Sequence, residues 1–114
     1  MLIAIPKEGD MVCAHFGHCE EFTLYDTNAK TLKSVANPGH QPGFLPGFLK
    51  ELGVELVIAG GMGGRAQDLF ATQAIQLIVG ISGSIDDVIV RFKKDVLVSM
   101  RGSMIRISDI LGQR

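Results

Sequence analysis

Apolar residues fall in short blocks along this chain, some continuous and some at helical spacing. Leu2-Ile3-Ala4-Ile5 is apolar at every position and runs into Pro6. A strand covered on both faces reads this way, so the block predicts a central strand. Phe22 to Asp26 and Thr31 to Ala36 predict two more strands. Asp26-Thr27-Asn28-Ala29-Lys30 separates them, and Asp and Asn favour turns by bonding their own backbone. Together the three strands predict an antiparallel meander.

The spacing then changes. Leu45, Phe48, Leu49 and Leu52 predict a helix, with Pro46 in its first turn and Gly53 at its stop. Val54 to Ala59 is a buried strand ending at Gly60. Gly63 or Gly64 opens a second helix, whose Ala66, Leu69 and Phe70 face inward. Ile75 to Val79 is a strand ending at Gly80. Ser84 with Asp87 reads as a capping box, and Ile85, Val88, Ile89 and Phe92 follow at i, i+3, i+4 and i+7. Beyond Lys94 three readings stay open for Val96 to Met100 and Met104 to Ile107: a hairpin, an edge strand, or a segment packing on a second copy in a homodimer.

These elements predict an α/β fold. Two reversals make the third strand parallel to the first, and right-handed crossovers through the helices keep the fourth and fifth parallel to it. The expected sheet is mixed and five-stranded, in order 3-2-1-4-5, with helices on both faces. One consequence matters for function. Loops 6–19, 37–43, 60–64 and 80–84 then emerge at one edge of the sheet, the carboxyl edge where open α/β sheets bind ligands.

With 114 residues the chain predicts one domain, residues 1–114, with a core over 1–94 and an extension over 95–114. Such a chain buries roughly two-thirds of its unfolded surface, enough for a core without disulfides. The net charge is −1 and no basic run is present, so no nucleic-acid footprint is expected. Tryptophan is absent and Tyr25 is the single tyrosine, which leaves few platforms for stacking bases. Leu2 to Ile5 is too short for a secretory leader, and no apolar run reaches membrane-spanning length. The expected location is therefore the cytoplasm, away from membranes, where two cysteines read as thiols or metal ligands rather than a disulfide.

The chemistry is concentrated in Cys13-Ala14-His15-Phe16-Gly17-His18-Cys19. Both cysteines and two of the three histidines fall in these seven residues, and the third, His40, lies in the Asn37–Gly43 loop. Thiolate and imidazole are the donors for soft metals and metal–sulfur clusters. The spacing departs from the paired C-x2-4-C and H-x3-5-H of zinc fingers, so an open site fits better than a closed structural one. The plainer alternative is two small buried cysteines beside solvated loop histidines. A cysteine nucleophile is disfavoured, because residues this close in sequence rarely give base, orienter and oxyanion geometry. A two-metal nuclease is excluded, since Glu55 is the one carboxylate on the central strands.

Gly61-x-Gly63-x-x-Ala66 follows a predicted strand and opens a helix, as a dinucleotide fingerprint does. No acid is placed for a ribose, so tight strand-to-helix packing explains the glycines better. A third use is anion binding: free N–H groups at Gly61, Gly63, Gly64 and Arg65 could hold a negatively charged ligand. Ser82-Gly83-Ser84 reads as a turn and an N-cap.

Several segments, in order, resemble the dinitrogenase iron–molybdenum cofactor family, the NifX-like and NifB C-terminal-like domains. They are Ile3-Ala4-Ile5-Pro6, His15-Phe16-Gly17, Tyr25-Asp26, Asn37-Pro38-Gly39-His40, Val57 to Ala66 and Ser82 to Asp87. The resemblance covers Leu2 to about Phe92. It implies a ribonuclease H-like sheet and binding of an iron–molybdenum cofactor, its precursors, or another molybdenum-, iron- or copper-containing sulfur cluster. It also implies roles for His15 and His40 as cluster ligands or neighbours, and departs from the family pattern at Cys13, His18 and Cys19. The expectation is thus a non-catalytic carrier. Cys13, His15, His18, Cys19 and His40 would face the metal, the Gly61–Arg65 amides would hold the anionic charge, and cluster donor or acceptor proteins would be the partners. The alternative is a regulatory module that binds an anion or nucleotide at Gly60–Arg65.

Overall fold

A computed structural model describes residues 1–39 and 43–112. Eight strands and four helices are assigned among them. The strands are β1 (Leu2–Glu8), β2 (Met11–Val12), β3 (Glu21–Asp26), β4 (Thr31–Ala36), β5 (Val54–Ile58), β6 (Gln76–Ile78), β7 (Val96–Val98) and β8 (Met104–Arg106). The helices are α1 (Phe44–Glu51), α2 (Gly64–Thr72), α3 (Ile85–Lys93) and α4 (Ile107–Leu111).

The main sheet runs β4-β3-β1-β5-β6, the expected path. β1 pairs antiparallel with β3 and parallel with β5, so the sheet is mixed. It has six strands rather than five, because β2 pairs with β1 as well. The expected first strand ended at Pro6, but β1 continues to Glu8 and folds back through Gly9-Asp10, with Gly9 at φ 59°. Pro6 lacks an N–H but keeps its carbonyl, which accepts from the Cys13 amide at 2.9 Å. A proline therefore stands inside a paired strand here, and the two-residue turn after it was the missed signal.

Alternation of side chains along the strands builds two cores. Ile3, Ile5, Leu56, Ile58 and Ile78 face α3, whose Ile85, Val88 and Ile89 carry the expected helical stripe. Ala4, Phe22, Leu24 and Val57 face the other way, onto Leu45 and Leu49 of α1 and Phe70 of α2. Helices thus cover both faces. The Ser84 hydroxyl accepts from the Asp87 amide at 3.1 Å, the predicted N-cap. Of the three readings for the C-terminal segment, the hairpin is the one observed: β7 and β8 pair antiparallel in a separate two-stranded sheet. Leu97 and Ile107 anchor it in the α3 core.

No helix among the described residues is long and apolar enough to cross a membrane.

Candidate functional site

The carboxyl edge of the sheet is built by two loops that are locked together. The Gly61 amide donates to the Ala14 carbonyl at 2.7 Å, and the Phe16 amide donates back to the Gly61 carbonyl at 3.0 Å. Glycine is needed for this approach: a Cβ at Gly60 would lie 2.6 Å from the Cys13 oxygen, and one at Gly61 2.7 Å from the Ala14 oxygen. Next along, the Gly80 amide donates to the Gly60 carbonyl at 2.9 Å, which ties in the loop after β6.

Phe16 anchors the site loop from below. Its buried ring lies 5.3 Å from that of Phe70 and 5.8 Å from that of Phe22. From this anchor Phe16–His18 makes one 3-10 turn, closed by the His18 amide donating to the His15 carbonyl at 3.0 Å. The turn carries His15 and His18 outward, both exposed, with ring centroids 6.2 Å apart.

Both imidazoles line a cleft of about 570 Å³. Gly61, Met62 and Gly63 form a second wall, and Leu45, Pro46, Ala66 and Leu69 form an apolar third wall from α1 and α2. Gly39 and Gly43 also line it, so the described ends of the 37–43 loop reach the same cleft. His40 itself lies outside the described residues.

The cysteines sit elsewhere. Cys13 and Cys19 are free thiols, 1% and 2% exposed, within the core on the α1–α2 side of the sheet. The Cys13 thiol donates to the His15 carbonyl at 3.2 Å and lies 3.6 Å from a Glu8 carboxylate oxygen. Burial raises its pKa. Burial also pushes the Cys19 thiol up to about 11, the nearby Cys13 adding to the effect, although the Asn37 amide 3.6 Å away opposes it. Both therefore carry their protons at neutral pH. Among the described residues, no three His, Cys, Asp or Glu side chains come together as a metal-holding group.

The glycine loop divides its labour. Gly61 spends its amide on Ala14. Gly63 is the extended N-cap of α2 and lines the cleft, whereas Gly64 and Arg65 begin the helix outside the lining, Arg65 being exposed. The first amides of a helix have no partner within it, so this end offers N–H donors. Gln67 clamps the loop from inside: its side-chain amide donates to the Met62 carbonyl at 2.9 Å and its backbone amide to the Gly63 carbonyl at 3.1 Å. Reading the sequence for His and Cys passed over Met62 and the apolar wall. A thioether set among four glycines was the available signal.

Sheet order and cleft together define a small α/β protein with a cleft at the carboxyl edge of its strands. The model of the family named for the dinitrogenase iron–molybdenum cofactor matches residues 1–95, and the chain belongs to that family. No curated protein matches significantly. Among solved structures, the chain is similar to PH0822, at 34% identity and a TM-score of 0.81, over 87% of this chain and 96% of that one. It shares its fold with the apo form of the orange protein from Desulfovibrio gigas, at 20% identity, TM-score 0.74, and coverage of 89% and 93%. The same holds for TM1290, a candidate NifB protein from Thermotoga, at 23% identity, TM-score 0.70, and coverage of 94% and 93%.

Proposed function

We propose that this protein is a small, non-catalytic carrier of a molybdenum-, iron- or copper-containing metal–sulfur cluster. The observation that carries the reading is the pair of imidazoles, presented by one 3-10 turn at a cleft that the glycine loop also lines. Imidazole nitrogen supplies the metal donors. Helix α2 begins at the same cleft, and its N-terminal amides favour the negative charge of sulfido or oxo groups. Family membership supports the same cargo class.

His15 and His18 are the inner donors in this proposal, and His40 closes the site from the 37–43 loop. Cys13 and Cys19 support the turn from within as protonated thiols. Either would have to lose its proton and leave the core to become a ligand. A cleft open to solvent suits release to an acceptor protein. The ribonuclease H-like description of the sheet, a single domain over 1–114 and a cytoplasmic location belong to the same reading.

The test is anaerobic incubation with iron, sulfide, molybdate and copper, followed by desalting, elemental analysis and an absorption spectrum. Stoichiometric retention by the wild type, lost in the His15→Ala, His18→Ala double variant, is the expected result. Equal retention by that variant would place the cargo elsewhere. A wild type that holds no metal but melts at higher temperature with nucleotide would favour the regulatory module at Gly60–Arg65.

A further inference from the structure

Among the described residues, Met62 is the one sulfur-bearing residue that lines the cleft. Its backbone is held on both sides. Gly61 is bonded through its amide and its carbonyl to the His15 loop, and the Met62 carbonyl is clamped by Gln67. The side chain is half-buried, with one flank against the α1–α2 core. Among the described residues that line the cleft, none is an acid, a lysine or an arginine. Among the described lining residues, the side chains that carry metal-donor atoms are two imidazoles and one thioether, all of them neutral when unprotonated.

Donor sets of this kind discriminate among metals. Calcium and magnesium require carboxylate or carbonyl oxygens, and closed zinc sites draw on thiolates. Imidazole with thioether suits soft cations of low charge. A leucine would fill the same gap with no donor atom, so packing alone does not require a methionine.

We infer that Met62 is a ligand-binding residue whose thioether joins His15 and His18 to select soft, low-charge metal centres. This rests on the carrier reading for the location of the site. It goes further in naming a third donor and a class of metal.

Silver(I), a soft monovalent ion that does not change oxidation state, is the probe. Protein carrying 13C in its methionine methyl groups is titrated with silver to three equivalents, so that both buried thiols can fill first. Met62→Leu assigns the Met62 methyl resonance and serves as the comparison. A shift of that resonance within the titration is expected, together with about a tenfold loss of silver affinity at one site in Met62→Leu and no change in zinc affinity. An unmoved Met62 resonance, or a Met62→Leu protein with wild-type silver affinity, overturns the inference. Met62→Leu failing on silver but still holding the reconstituted cluster would also overturn it, because Met62 would then not serve the cargo site. The carrier reading is decided separately, by cluster retention in the His15→Ala, His18→Ala variant.

Discussion

Gly61 and Ala14 are joined at a spacing that leaves no room for a side chain. The amide-to-carbonyl distance is 2.7 Å, and a Cβ on Gly61 would sit 2.7 Å from the same oxygen. Substitution must therefore separate the histidine turn from the loop that faces it. Gly61→Ala should cost about 1–3 kcal/mol, the range for forcing a methyl into a packed position. Chemical denaturation checks this, with Gly64→Ala as the control, since a Cβ there meets nothing within 4 Å. Equal stability of the two variants would mean that the loops do not depend on this crossing.

The two thiols should be unreactive in the folded protein. Both are almost wholly buried, and burial pushes the Cys19 thiol up to about 11. The thiolate is the nucleophile, so both burial and protonation slow alkylation. Iodoacetamide at pH 8 should label neither cysteine in native protein and both in denaturant, as read by intact mass. Rapid native labelling would show that the 13–19 loop opens readily.

Asp95 predicts an acid-sensitive C-terminus. Its carboxylate accepts from the Ser108 hydroxyl and the Ser108 amide, both at 2.8 Å. Those bonds lower its pKa below the usual aspartate value. A depressed folded pKa contributes stability above the unfolded value of 3.8 and loses it as pH falls through the folded one. The protection of the Ile107 to Leu111 amides, relative to their intrinsic exchange at the same pH, should therefore fall below about pH 4, while the main sheet stays protected. Asp95→Asn should show the lower protection already at pH 7.

The cap of α3 gives a further prediction. Ser84 accepts from the Asp87 amide, and the Ser84–Ile85 segment meets the turn before β2 through the Ile85 amide, which donates to the Asp10 carbonyl at 2.9 Å. Ser84→Ala should cost about 1 kcal/mol, and Ser84→Gly or Ser84→Asp less. Thermal melting of the three variants orders them.

The chain's own pattern specified much of this architecture. The continuous apolar block Leu2–Ile5, and Val54–Ala59 with Glu55 as its one polar residue, marked the central strands, because a strand covered on both faces has almost no polar side to show. The stripe Ile85, Val88, Ile89 and the Ser84 cap specified α3, because each depends on residues three or four apart. Strand order followed from handedness, and it brought the loops to one edge. Tertiary structure decided which atoms face that edge. Cys13 and His15 are two positions apart, yet Phe16 docking against Phe22 and Phe70 turns the backbone so that the imidazole reaches the cleft while the thiol enters the core. Met62 lines the same cleft as the histidines because Gly61 bonds to Ala14 and Phe16, residues more than forty positions away, a separation at which local spacing carries no information.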